Sequence, residues 1–307
     1  MILRRKVINL LFTDRYISFA LVEEGRRKVI RTGRVALKSG IIKHGKIVDE
    51  RLLSNILGTM FKKHRLRSRW VRIVIPDSNL VIKKLTVPKF LKTDDLISYL
   101  KLELEESLQL LPYNDPIIDV KEYRVDEDRE EKDIILFTTS EEIITAYLRV
   151  IQKHGKSVIG SQISPVLTRR IYLDSKQIRN TAESHVMFVQ LRENTNIFTV
   201  FDEELPVLSL RDTFEIDELN EEDYLMQIID MIERVVHFYK YQFTKENRDI
   251  EKILIYAENN LTPAQRDVII SKLDIATEFI IHEGLKHSVS LKREDLIPYY
   301  LPIALSL

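Results

Sequence analysis

The sequence predicts an α/β protein of two lobes with an additional block between them, and three observations carry that prediction. Apolar strand-like runs alternate with amphipathic helices along most of the 307 residues. Val71-Arg72-Ile73-Val74-Ile75 is closed by Pro76-Asp77, and a second strand over residues 81–87 ends at Pro88, which cannot donate a ladder hydrogen bond. Thr93 then opens an amphipathic helix through Leu111, with Asp94 and Asp95 in the first turn, where the helix dipole favours anions. Its stripe starts at Leu96 and Leu100 and drifts toward Leu104, Leu108 and Leu111. Leu111-Pro112-Tyr113 stops it, and a strand resumes at Ile117.

The remaining elements follow in order. Residues 7–12, 18–22, 29–36 and 71–75 read as strands, and residues 50–61 as a helix started by Asp49. The block from Val81 to Lys156 reads strand, helix, strand, strand, helix, and is expected to form a compact sheet with two helices on one face. Its hairpin loop, Asp126-Glu127-Asp128-Arg129-Glu130-Glu131-Lys132, reads as a solvated turn. The chain returns to the first lobe at residues 157–171. Strands at 186–191, 197–201 and 206–210 open the second lobe. A helix follows whose Leu225, Ile228, Ile229, Ile232 and Val236 line one face. Strand 253–256, helix 263–273 and strand 278–282 complete it. The predicted domains are residues 1–79 with 157–184, the inserted block 80–156, and residues 185–307.

Composition excludes several functions. The 47 basic and 47 acidic side chains cancel, so no global field draws nucleic acid or an anionic membrane to the chain. With no cysteine there is no disulfide, thiolate metal site or cysteine nucleophile. The first residues, Met1-Ile2-Leu3-Arg4-Arg5-Lys6, have the charged start of a signal peptide. Asp14 and Arg15 break the apolar stretch that follows, so a core strand is expected there instead. No stretch of about 18 apolar residues, the length that spans a membrane, is present. No internal repeat is visible.

The order strand, Pro, acidic helix, Leu-Pro-Tyr, acidic strand over residues 71–119 resembles the middle of the PilM family. Members of that family are actin-like cytoplasmic components of the type IV pilus assembly platform. Gly40 to Asp49 is similar to the family's early hairpin. Val235-Val236-His237-Phe238-Tyr239 falls where the family has a long helix ending in aromatics. Pro302-Ile303-Ala304-Leu305-Ser306-Leu307 resembles its C-terminal signature, with Ser306 a minor departure. The resemblance implies an actin-like (ribonuclease H-like) two-lobe fold with an inserted subdomain of the FtsA type. It also implies a scaffold function: binding the cytoplasmic tail of a PilN-like single-pass membrane protein in a pilus or competence pseudopilus, beside other platform proteins. Such a protein is cytoplasmic and reaches the membrane only through its partner.

Actin-like ATPases cradle nucleotide with two Asp-x-Gly loops and a Gly-Gly pair, since only glycine lets backbone N–H groups reach the phosphates. Aligned on the flanking strands, this chain has Leu11-Phe12-Thr13 and then Asp14, Gln190-Leu191-Arg192 and then Glu193, and Glu258-Asn259-Asn260. The degenerate positions are Leu11, Thr13, Gln190, Arg192 and Asn259. Usage of about 7% would give roughly 21 glycines. The chain has 8, and none lies between Gly160 and Gly284. A pseudo-ATPase with no cofactor, metal or catalytic residue is therefore expected, the alternative being an active ATPase or a polymerising actin-like protein.

Other constellations are weaker. The seven histidines are scattered; His237 is expected in the core or at its rim, and His282 and His287 in a loop around Gly284. Arg65-Leu66-Arg67-Ser68-Arg69-Trp70 is basic with one aromatic, yet it reads as a solvated link into the next strand rather than a nucleic-acid patch. The resemblance places the partner tail in the groove between the first lobe and the inserted subdomain. At that junction Ile82, Leu85, Val87, Phe90 and Leu91 are the pocket candidates, with Lys83 and Lys84 at the rim.

Overall fold

A computed structural model describes residues 5–106, 111, 113–125, 128–214, 221–244, 248–259, 261–288, 290–292 and 294–307. The chain divides into two compact units, Met1–Ser164 with Ser306, and Pro165–Leu305 with Leu307. Pro112, Asp126, Glu127, Asn260 and residues 1–4 and 107–110, on which some sequence expectations fell, lie outside the described residues.

In the first unit, runs rich in Val, Ile, Leu and Phe build β1 (Lys6–Phe12), β2 (Tyr16–Glu23) and β3 (Lys28–Ala36), which pair antiparallel as consecutive hairpins. A short ladder, β4 (Ile42–Lys43) with β5 (Lys46–Ile47), precedes α1 (Glu50–Lys63). The Asp49 carboxylate caps α1 by accepting from the Leu52 amide at 2.8 Å. β6 (Trp70–Val74) returns parallel beside β1, and β10 (Ser157–Gln162) lies parallel beside β6, so the order is β10-β6-β1-β2-β3.

A separate three-stranded sheet sits in the same unit. β7 (Val81–Pro88) and β8 (Pro116–Val125) flank β9 (Glu131–Ser140), both antiparallel to it. Leu96 and Leu100 of α2 (Thr93–Glu106) close a small core with Val87, Ile134 and Leu136. α3 (Glu141–Gln152) departs from the expectation of two helices on this sheet. Its Ile143, Tyr147, Val150 and Ile151 join the core of the first sheet with Leu53, Leu57, Met60 and Phe61 of α1. An entire face of large apolar side chains finds more surface to bury there than on a three-stranded sheet. At Gly58, α1 packs against the turn that follows α3, where an added Cβ would come within 2.9 Å of His154 Cε1. Lys132 also departs from the solvated turn expected of it: its ammonium is buried, bonded to Leu91 O at 3.0 Å and Glu122 Oε1 at 2.5 Å.

The second unit repeats the hydrogen-bond plan of the first. After α4 (Ser164–Lys176), strands β11 (His185–Leu191), β12 (Thr195–Asp202) and β13 (Leu205–Thr213) form consecutive antiparallel pairs. α5 (Glu221–Phe238) leads through a π-helical turn, Tyr239–Phe243, to β14 (Lys252–Ala257), parallel to β11. α6 (Pro263–Lys272) carries a full capping box, the Thr262 hydroxyl on the Gln265 amide and the Gln265 side chain on the Thr262 amide. β15 (Ala276–Phe279) completes the order β13-β12-β11-β14-β15. On α5 the buried face runs through Leu225, Ile228, Ile229, Ile232 and Val235, with Val236 half-buried. His237, expected in or near the core, is exposed and stacks on Tyr241 at 5.9 Å.

Scarcity of glycine shows at the helix ends. α1 and α4 both close with the Schellman pattern, Leu66 N–H to Phe61 O at 2.9 Å and Ile178 N–H to Leu173 O at 3.1 Å. The left-handed residue that each closure needs is Arg65 (φ 50) or Gln177 (φ 56) rather than glycine.

Candidate functional site

The turn that would be the first phosphate loop joins β1 to β2. Leu11 is buried in the strand, and Thr13 closes the turn from within. Its hydroxyl accepts from the amides of Tyr16 at 2.9 Å and Arg15 at 3.2 Å, and its own N–H donates to Tyr16 O at 2.9 Å. Those amides therefore already have an acceptor inside the turn. Asp14 points elsewhere: its carboxylate accepts from the amides of His44 at 2.6 Å and Gly45 at 2.9 Å, holding the left-handed corner between β4 and β5. Tyr147 of α3 donates to Gly45 O at 2.9 Å. Burial pushes the Tyr147 phenol far above its ordinary value, and the Asp14 charge adds to the shift. This junction escaped sequence reasoning because its members lie 31 and 102 positions apart.

The positions of the second loop and of the adenosine-binding pair meet at the ends of β11 and β14. Gln190 is fully enclosed on β11. Arg192, in the turn to β12, lies 3.7 Å from the Glu258 carboxylate, with the two side chains 7% and 0% exposed. The Glu258 amide donates to Leu191 O at 2.8 Å, and the Arg192 amide to Thr195 O at 3.2 Å. A buried ion pair thus joins the end of β11 to the end of β14. Asn259 is exposed in the bend beyond β14. The described residues contain no group of three or more metal-ligating side chains.

At the partner-site candidates the structure separates the seven residues. Val87 is buried in the small core, with Leu85 and Leu91 packed against it, so these three serve the contact with α2. Lys84 lies on the opposite face of β7 from Leu85, 2.9 Å from Asp133, which also accepts from the Thr86 hydroxyl at 2.8 Å. Burial raises the Asp133 pKa, but the hydrogen bonds and charges of Lys84, Thr86 and Arg124 outweigh it, and the net shift is downward. Ile82 and Lys83 are half-buried, and Phe90 is 78% exposed just beyond the strand. All ladder partners of β7 lie in β9, and no strand pairs its outer edge among the described residues.

Of the remaining histidines, His282 is buried and its Nε2 lies 2.7 Å from Asp174 Oδ2. His185, also buried, shares a hydrogen bond with the Tyr239 hydroxyl at 2.8 Å.

These two sheets, each a three-strand meander continued by parallel strands, define an actin-like α/β protein. No protein-family model matches the sequence, and no curated protein matches it. Solved structures do. The chain is similar to one from the PilM–PilN type IV pilus biogenesis complex, with TM-score 0.77 and 12% identity, over 99% of this chain and 98% of that one. It is also similar to the cytoplasmic domain of EpsL, an inner-membrane component of the type II secretion system of Vibrio cholerae (TM-score 0.52, 11% identity, 96% and 94% covered). A third is the ethanolamine utilization protein EutJ of Carboxydothermus hydrogenoformans (TM-score 0.52, 11% identity, 98% and 89% covered). PilM-like is the form of the actin-like fold that this chain adopts.

Proposed function

We propose that this protein is a non-enzymatic scaffold of the type IV pilus or competence pseudopilus platform. In this reading it binds the cytoplasmic tail of a PilN-like membrane protein and reaches the inner face of the membrane through that partner. One observation carries the reading: near-complete coverage in both directions of a chain solved in the PilM–PilN complex. The internally bonded Thr13 turn and the buried Arg192–Glu258 pair support the absence of ATP chemistry, because both occupy backbone that a nucleotide would need. Residues 81–140, which carry β7, α2, β8 and β9, form the inserted subdomain in this reading, whereas α3 belongs with the first sheet. The tail runs extended along the open edge of β7, which supplies the backbone groups such a ligand requires. Ile82, Lys83 and Phe90 flank it, while Leu85, Val87 and Leu91 hold the platform from behind. A competing role for the edge lysines is protection against aggregation.

Because Lys84 is tied to Asp133, Lys83→Glu is the cleaner rim variant. Titrating the partner's N-terminal peptide into the wild type should give saturable binding. Lys83→Glu should weaken it by slowing association, with the melting temperature unchanged. Equal affinity of the wild type and of Lys83→Glu and Phe90→Ala variants would remove the tail from this edge. No binding to the wild type would remove the scaffold reading itself.

A further inference from the structure

A concave site at the C-terminal end of α1 is independent of the partner reading. It is a cavity of about 410 Å³ whose wall includes Phe61, Lys62, Arg65, Arg67, His154 and Lys156, and no carboxylate. Lys62, Arg65 and Arg67 form no ion pair among the described residues, although the chain as a whole is neutral. Lys156 is fixed in place: its ammonium donates to Leu66 O at 2.8 Å and Ser68 O at 2.6 Å, over the Phe61 ring at 5.0 Å. An ammonium has three donors, so one remains for a ligand. His154 stands at the wall with Nε2 3.1 Å from the Ser54 hydroxyl.

A basin of this kind concentrates positive potential in a hollow with low-dielectric walls, the arrangement that draws anions. Two guanidinium groups match the paired oxygens of a phosphate better than a single ammonium does. The cavity is also within the range of about 300–1,000 Å³ that ordinary ligands occupy. We propose that this basin binds a phosphate-bearing anion, with Arg65, Arg67 and Lys156 donating to its oxygens.

Arg65 makes the test clean. It occupies the left-handed position that closes α1, where glycine is the residue usually found, so Arg65→Gly removes the charge while suiting the backbone. The His154 imidazole reports on occupancy. Burial and the charges of Lys156, Lys62 and Lys153 hold its pKa below the ordinary value, with the Ser54 contact opposing them. A bound phosphate should raise it.

The experiment follows the His154 ring resonances of the full chain by NMR against pH, with inorganic phosphate or pyrophosphate, and with chloride at matched ionic strength. The expected result is an upward pKa movement with phosphate beyond that with chloride. In Arg65→Gly/Arg67→Ala, affinity should fall about tenfold or more, the equivalent of one lost charge-assisted hydrogen bond. Lys62→Ala should act in the same direction through a third side chain. Sedimentation with phosphatidylcholine vesicles, with and without phosphatidylglycerol, separates the sources. Pelleting of the wild type but not of the double variant assigns a lipid headgroup, whereas phosphate binding without pelleting assigns a free phosphate compound. Identical responses to phosphate and chloride without vesicle binding, or binding unchanged in the double variant, overturn the proposal.

Discussion

Thr13 and Arg192 show how single side chains alter what a strand-to-strand turn can do. Each stands where the sequence alignment expects glycine in an actin-like nucleotide loop, and each adds an interaction that glycine lacks. Thr13 engages the turn's own amides, and Arg192 compensates the fully buried carboxylate of Glu258. The two substitutions differ in their energetic stake. Removing Arg192 strips the buried Glu258 of the opposite charge 3.7 Å away, so Arg192→Ala should destabilise the chain by about 3 kcal/mol, read as a lower urea midpoint. Arg192→Met combined with Glu258→Leu should recover most of that loss, because an apolar pair avoids the desolvation cost. A double variant as unstable as the single one would show that the pair contributes more than mutual compensation. The sequence shows that these two turns lack glycine. It did not disclose that Glu258 would come to face Arg192, since that pairing depends on β11 and β14 lying side by side.

At the scale of elements, two histidines with depressed pKa values gather at the end of α1. His64 is held below its ordinary pKa by burial and by the charges of Lys63 and Arg31, and His154 by burial and its neighbouring lysines. A histidine whose folded pKa is depressed binds protons more readily in the unfolded chain. Its stabilising contribution is therefore complete above the ordinary value of 6.5 and is lost as pH falls below it. Urea midpoints should drop between pH 7.5 and 5.5, a window set by that value. His154→Gln should flatten the slope, and an unchanged slope would assign the sensitivity elsewhere. Asp133 acts in a separate window, its contribution disappearing only as pH falls below 3.8 toward its lower folded value. Local pattern revealed most elements: Asp49 caps α1 as its position implied, β7 ends at the Pro88 expected to close it, and α2 begins at Thr93. It did not reveal that α3 leaves the small sheet. An amphipathic face records that it is to be buried, not which of two sheets will bury it.

For the molecule as a whole, the recurring strand order was invisible in the sequence. Hydrogen-bond plans depend on backbone pairing and a two-residue alternation, so unrelated side chains can satisfy the same plan. The two-lobe fold was legible through element order, whereas the equivalence of β1 with β11 and of β6 with β14 became evident only from pairing. If both nucleotide turns are closed, Mg-ATP at millimolar concentration should leave the melting temperature unmoved. Binding at 100 times the dissociation constant would instead add about 2.7 kcal/mol of stability. A shift specific to adenine nucleotides, accompanied by hydrolysis, would establish the ATPase reading in place of the scaffold.

The helix closures at Arg65 and Gln177 carry a practical consequence for anyone engineering this chain. Left-handed backbone costs an ordinary residue about 1 kcal/mol relative to glycine. Gln177 lies outside every site proposed above, and the motif around it needs only the backbone bonds to Asp174 and Leu173. Gln177→Gly is a natural first substitution for a thermostabilised background, one of several that together would keep damaging variants such as Arg192→Ala folded.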